Sequence, residues 1–466
     1  MKTKNDHYWL KSGVLLLLQN MSNILFGFGG FYLLVRMLDR HSYGTWTLYM
    51  TTVTIVEMMR TGMIQNALIR FLSHHPEKDH HAILSASVSM SVGITLGVII
   101  VNIALAGFLG RLWHAPELEN MFYAYSIVYV LSGMLTQFHY IEQAHLSFVG
   151  VFLTTLSRQA IFFIYVVVCF FKHYDTSLIR LVFVQAISLV PSIIIEYFFV
   201  KKYLRFKFRL HLGWVRKLFN YGKFVFGTSV SGLISSTVDQ MMLGAMLSPT
   251  ATGAFNVAVR VNNLIEIPTN TMAVMVFPQS AKRMATEGTG AIKYLYERSV
   301  GIVLALVFPC FLFLMFFPTF VVHFIAGDKF PEAVPIMRLT ILSCFFVPYS
   351  RQFGTILDSI GKQKTNFAFV LVAASLNIGL NFFMIRRYGI MGAVYATLLA
   401  NVITFVFMQI ILTRKLKVRL VNTFIYAVRF YPEFFQKYTV PFFQRVGLIK
   451  SKTSPSDANS YPSQNI

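Results

Sequence analysis

Four arginines stand inside stretches that are otherwise hydrocarbon: Arg60, Arg158, Arg260 and Arg351. A guanidinium stays charged at any physiological pH, and its planar fork donates hydrogen bonds in pairs to phosphate or carboxylate oxygens. Unpaired at the centre of a bilayer it costs roughly 3 kcal/mol or more, so each must face a polar cavity or a counter-charge. Three acids occupy comparable positions: Glu57, Asp239 and Glu266. The set could hold an anionic headgroup on its arginines and a coupling cation, or a matching positive side chain, on its acids.

Spacing sorts them. Glu57 and Arg60 are three residues apart and can pair on one helix face. Arg260 and Glu266, about 10 Å and 20 Å inside their span, are badly spaced for a local pair and should meet other helices. Arg158 opens its span with no acid within a turn, so it either lines a cavity or reaches back to the interface. Arg351 and Asp358 share a face but are two turns apart, which makes Arg351 a cavity candidate. Asp239, near the outer end of its span, could bind a cation or an opposing arginine. Asn23, with Asn20 and Ser22 beside it, sets small polar groups along the first span. They suit sugar hydroxyls or, equally, contacts between helices. Glu142, Glu196 and Arg298 fall near the water boundary, where long side chains can reach solvent. The run HHPEKDHH at 74–81 has metal-binding side chains, but its proline breaks any helix that would align them, and a solvated loop accounts for it. Cys169, Cys310 and Cys344 all lie in apolar segments and read as small core residues, with no disulfide framework or zinc spacing.

The elements that position these residues follow from composition. Of 466 residues 55% are hydrophobic and 13% charged, about half the charge a soluble chain carries, and the mean hydropathy is +0.59. Long unbroken apolar runs (161–171, 302–317, 401–412) lack the alternation of barrel strands, so helices must cross the membrane. The expected fold is all-α and polytopic, with spans near 13–35, 43–61, 82–109, 120–142, 150–171, 179–200, 221–244, 253–275, 293–317, 334–356, 366–385 and 391–412. No cleavable leader is expected at the start, because the first apolar stretch is of full span length.

The net charge of +22 is read as basic loops facing anionic lipid rather than as a nucleic-acid surface. With the N-terminus in the cytoplasm, 27 of the 41 Lys and Arg fall in cytoplasmic segments and 9 in outer loops, which places both termini inside. The basic stretch 201–217 separates six spans from six. The expected organisation is therefore a bundle at 1–200, a linker at 201–220, a second bundle at 221–412, and a basic amphipathic then disordered tail at 413–466. Sliding one half on the other by 209 positions sets Gly44 on Gly253 and Glu57 on Glu266, as a parallel repeat would. The tail, with basic residues among aromatics, suits a helix lying in the headgroup region.

The stretch YLLVRMLDRHSYGTWTLYM (32–50) resembles the first-to-second span region of polysaccharide flippases in the multidrug/oligosaccharidyl-lipid/polysaccharide (MOP) exporter superfamily. The second half is similar over 218–284, where Tyr221-Gly222 opens a span, Asp239 precedes the turn, Gly253 starts the next helix and Pro278 closes it. The resemblance implies two six-helix bundles around a central cavity. It also implies a flippase carrying an undecaprenyl-pyrophosphate-linked oligosaccharide (an O-antigen, capsule or exopolysaccharide unit) from the cytoplasmic to the periplasmic leaflet of a bacterial inner membrane, with an acid favoured at Asp239. Polysaccharide polymerases and glycosyltransferases would be its partners, beside anionic lipids. Lipid II flippases of the superfamily usually carry two more spans, for which the tail offers no convincing pair. A multidrug/cation antiporter shares the twelve-span plan and is the alternative, although the deep charges lean basic. No enzyme activity or cofactor is expected. The chain lacks a GxxxxGK[ST] phosphate loop, and its outer loops, around 20 residues at most, are too short for sugar chemistry.

Overall fold

The computed structural model describes residues 2–74, 77–145, 147–174, 176–204 and 211–435. Among them the chain forms sixteen helices and no strand. They are α1 (Lys2–Met37), α2 (Arg40–Gly62), α3 (Gln65–His74), α4 (Glu77–Leu112), α5 (Glu117–Ala144), α6 (Val149–Lys172), α7 (Leu178–Val200) and α8 (Leu212–Met246). Then come α9 (Pro249–Glu287), α10 (Thr289–Phe316), α11 (Pro318–Ala326), α12 (Ala333–Ser343), α13 (Val347–Ser359), α14 (Gln363–Tyr388), α15 (Ile390–Leu416) and α16 (Leu420–Phe434).

Each expected span falls on one helix, except the tenth, which is broken into α12 and α13 at Cys344–Phe346. Pro348 sits in the first turn of α13, where its missing N–H costs nothing. Seven helices are long and apolar enough to cross a bilayer, or eight if the broken pair is one span. Helices α2, α8 and α9 have the length but not the apolar character. They carry the polar side chains from which the site described below is built. Asp39 starts α2, accepting from the backbone N–H of His41 (2.9 Å) and Ser42 (3.1 Å). Burial works against its charge, yet the hydrogen bonds from Ser42 and His41 hold the carboxyl below its usual value.

Helix α3 was not expected. It seats Ala67, Leu68 and Leu72 in a cluster with Ile83, Phe138, Ile141, Val200 and Leu218. The centre of the histidine run (75–76), part of the basic stretch (205–210) and the end of the tail (436–466) lie outside the described residues, as do the side chains of Asn20 and Lys223.

Contacts divide the chain into two compact units. The first holds residues 1–264, 313–343 and 363–404; the second holds 265–312, 344–362 and 405–466. In the first unit α5 packs against α4 and α7, α6 against α1 and α7, and α8 against α2, α4 and α14. Three glycines permit the closest approaches, Gly44, Gly222 and Gly392, the last against the Met384 carbonyl. A β-carbon on Gly44 would overlap the Pro249 carbonyl, and one on Gly222 would overlap the Met63 carbonyl. Backbone cannot yield as a side chain can, so Gly44→Leu should cost about 3 kcal/mol through overpacking. Gly27→Leu, with nothing within 4 Å of its added carbon, should leave melting of the purified protein unchanged. Equal melting of both variants would show that the Gly44 contact carries no weight.

In the second unit, α16 runs alongside α10. The buried Glu297 accepts from Arg419 N (2.7 Å) and Asn422 Nδ2 (2.8 Å), completing the first turn of α16. Gly301 lets the helix come close at Thr423 and Tyr426, and Tyr431 Oη donates to Ala305 O at 2.7 Å. This part of the tail is therefore docked on a spanning helix, with Val421, Phe424, Ile425 and Val428 facing outward.

Candidate functional site

In the first unit Glu57 and Arg60 form the local pair their spacing predicts. Arg60 is 2% exposed, its Nε and Nη2 lie 3.0 and 2.5 Å from Glu57 Oε2, and Ser132 Oγ donates to Glu57 Oε1 at 2.7 Å. The position of Gly133 gives the guanidinium room. Arg60 thus has its charge matched and its donors engaged, which leaves little of it for a ligand.

Arg158 and Arg260 are different. Both are exposed, about 14 Å along α6 and about 16 Å along α9 from the helix starts. Among the described residues no carboxylate lies within ion-pair distance of either. Arg260 stands over the Phe31 ring, 5.4 Å from its centroid, within electrostatic reach of Tyr43. Arg158 is within such reach of Tyr125 and His139. Its neighbour Gln159 donates through Nε2 to Asn23 Oδ1, so Asn23 is exposed on the α1–α6 face beside Arg158.

Near them lie two groups of rings in contact. Phe31 meets Tyr43 (6.4 Å), Trp46 meets Tyr49 (5.1 Å), and Tyr49 meets Tyr125 (5.6 Å), which packs edge-on against Tyr129 (4.6 Å). These rings are all buried, so they form a packed aromatic core beside the two arginines. Behind this wall a buried polar ladder ties α2 to α8 and α9. Tyr43 Oη donates to Asn256 Oδ1 (2.7 Å), and Asn256 Nδ2 and Thr51 Oγ1 both donate to Gln240 Oε1 (3.3 and 3.1 Å).

Asp239 is buried and its partners are neutral. Asn381 Nδ2 donates to Oδ1 at 2.6 Å and Thr397 Oγ1 to Oδ2 at 2.8 Å, while Asn377 Oδ1 lies 3.1 Å from Asn381 Nδ2. The Asn381 Oδ1 atom has no hydrogen-bond partner. Asp239 is thus held by an amide N–H and a hydroxyl, and the spare Asn381 Oδ1 acceptor is the atom of the cluster that could meet a proton donor or a small cation. The sequence named Asp239. It missed Asn377 and Asn381, whose i, i+4 spacing in an apolar span was the available signal.

In the second unit Arg351, exposed on α13, lies within electrostatic reach of Glu266 on α9. Glu266 therefore finds its opposite charge on another helix, as its spacing from Arg260 required.

One expectation fails outright. Glu142 and Glu196 do not reach solvent: they are 1% and 0% exposed. They face inward where α5 and α7 end and α6 begins, because Glu142 serves the free N–H groups at the start of α6. Arg298 does reach outward, 3.6 Å from Glu433 and in contact with the Tyr294 hydroxyl.

Against known proteins, the family model described as "Polysaccharide biosynthesis protein" matches residues 9–284, and the "MatE" model matches 225–383. The chain is 19% identical over 337 residues to the lipopolysaccharide biosynthesis protein WzxC of Escherichia coli K12, covering 72% of this chain and 67% of that one. It is 24% identical over 185 residues to the "Probable low-salt glycan biosynthesis flippase Agl15" of Haloferax volcanii, covering 40% of this chain and 39% of that one. The chain spans about two fifths of the length of the archaeal relatives it matches. Its fold is that of the solved lipid II flippase MurJ in an inward closed conformation, with a TM-score of 0.72 at 15% identity over 91% of this chain and 93% of that one. It is an all-helical, multi-span transporter architecture.

Proposed function

Since the chain belongs to the polysaccharide biosynthesis protein family of the MOP exporter superfamily, we propose that it is a flippase for a lipid-linked oligosaccharide. It would carry an undecaprenyl-pyrophosphate-linked unit from the cytoplasmic to the periplasmic leaflet of the inner membrane by alternating access, with both termini in the cytoplasm. The observation that carries this reading is the pair Arg158 and Arg260, exposed at membrane depth with no carboxylate within ion-pair distance among the described residues. Such residues persist in a membrane only where something anionic or aqueous meets them. A pyrophosphate has the charge and the paired oxygens for a guanidinium fork. Arg351, exposed with Glu266 near it, would be an anion-binding residue of the second unit. The relatives named for glycan and lipopolysaccharide biosynthesis support the substrate class.

The Asp239 cluster would supply the driving step. Binding a cation there neutralises a buried charge, and its loss on the low-concentration side would restore the starting state. A multidrug/cation antiporter is the second reading, supported by the MatE match over the segment that contains Asp239. It fits poorly with arginines as the unneutralised charges, because they repel cationic drugs.

The two readings separate in reconstituted vesicles. A fluorescent lipid pyrophosphate bearing a short oligosaccharide, loaded in the inner leaflet, should become accessible to an added phosphatase when the chain is present and an ion gradient is applied. No gain over empty vesicles, together with gradient-driven efflux of a cationic dye, would replace the flippase reading with the antiporter.

A further inference from the structure

At the end of the bundle where α5 and α7 finish, two carboxylates are held against each other inside the protein. A β-carbon placed on Gly150 would lie 2.5 Å from Glu142 Oε2 and 2.7 Å from Glu196 Oε2, so one missing methyl group is the space both oxygens share. The two differ in what surrounds them. Glu142 is saturated with donors: Ser147 Oγ (2.6 Å) and Gly150 N (3.0 Å) on Oε1, and Val151 N (2.8 Å) on Oε2. Its oxygens thus accept three hydrogen bonds at the start of α6. Glu196 has almost nothing. Its Oε2 is 3.4 Å from Thr154 Oγ1, a hydroxyl also directed at the Gly150 carbonyl (2.8 Å), and its Oε1 has no hydrogen-bond partner although the residue is fully buried.

A second naked carboxylate cannot be held there beside the first. The cost of removing an ionised carboxylate from water is several kcal/mol, and an adjacent like charge adds to it. We propose that Glu142 and Glu196 form a proton-binding site, with one proton bridging a Glu196 carboxyl oxygen and Glu142 Oε2. The bound ligand is H⁺. Binding takes the pair from a net charge of −2 to −1 and breaks no other covalent bond.

A way out for the proton is present. His139 on α5 places Nε2 2.8 Å from Thr154 Oγ1 and 3.9 Å from Glu196 Oε2, and its side chain is 15% exposed. The proton can pass from Glu196 through the Thr154 hydroxyl to the imidazole and onward to solvent. The charged or titratable groups facing the pair are His139 and Glu142 from α5 and, within electrostatic reach of His139, Arg158 from α6.

Loss of the proton would set two like charges on either side of Gly150, at the first turn of α6. Relief requires α5, α6 and α7 to part there, and α6 is the helix that carries Arg158. Proton occupancy would thus govern the position of one proposed cargo ligand. The proton site itself stands whatever the cargo proves to be.

The test is infrared spectroscopy of the purified full chain in lipid at neutral pH. A buried carboxylic acid shows a C=O stretch that moves on H/D exchange. Wild type should show such a component that Glu196→Gln removes, amounting to about one carboxylic acid per chain, and that Asp239→Asn leaves in place. The glutamine amide can still donate to Glu142, so the variant should stay monodisperse. If it does not, Glu196→Met, neutral and of similar size, takes its place. As an independent measure, backbone exchange over 147–156, corrected for intrinsic rate, should rise with pH in wild type and not in the neutral variant. A spectrum unchanged by both neutral substitutions would overturn the proposal. So would displacement of the component by added sodium at constant pH, which would make the pair a cation site instead.

Discussion

Replacing Arg158 or Arg260 with alanine should lower transfer of a lipid-linked oligosaccharide by about tenfold to a hundredfold, with the protein still present and folded. Hydrogen bonds to a charged partner contribute about 1.5–3 kcal/mol, which converts to that range. Little folding energy is at stake, because both guanidiniums are exposed and, among the described residues, neither has a carboxylate within ion-pair distance. Lysine at either position keeps the charge and loses the fork, so it should restore only part of the rate. Arg60→Ala should behave in the opposite way. It leaves Glu57 beside Ser132 without its cation inside the protein, so yield and melting temperature should fall before transport is in question. Complementation of a flippase-deficient strain, scoring surface glycan alongside membrane-fraction protein, separates the cases. Normal glycan in both the Arg158 and Arg260 variants would remove those side chains from the path.

Asp239→Asn should abolish the ion dependence of transport while leaving the fold intact. The amide has the shape of the acid, so one oxygen still accepts from Asn381 Nδ2 and the Thr397 hydroxyl can turn to accept from the new NH₂. What disappears is the negative charge a cation needs. Asp239→Ala is the harsher control: it strips the acceptor from two buried donors, at about 1–3 kcal/mol each, and should destabilise the protein as well. The measurement is initial transport rate against sodium concentration and, separately, against pH. Asparagine at 239 should flatten whichever curve drives the wild type. A full ion response in Asp239→Asn would rule out the cluster as the coupling site.

Much of this architecture could be read from the chain alone, for a plain reason. Spans are written as continuous apolar runs, and every expected one lies on helix. Local pairing was equally legible: Glu57 and Arg60 sit one turn apart on one helix, so spacing alone predicts the contact. Even the break in the tenth span had its mark in Pro348. Helix α3 was overlooked because it is short and amphipathic, although Ala67, Leu68 and Leu72 repeat at helical intervals. The rest depends on which helix lies beside which. The partners of Asp239 are on α14 and α15, more than 130 residues later, and nothing near Asp239 in the sequence announces them. Glu142 and Glu196 were misread for the same reason. Each alone looks like a boundary residue able to reach water; only the packing of α5 on α7 turns both toward the start of α6.

The capped first turn of α16 has a practical consequence for anyone handling this protein. Glu297 is shielded by groups from Arg419 and Asn422. A truncation made before Arg419 would strip a carboxylate inside the protein of both donors and uncover Gly301. Such a shortened chain should express badly for reasons unrelated to transport. Affinity tags and fluorescent fusions belong beyond residue 435, and loss of function in a shorter version should not be taken to mean that the tail touches cargo.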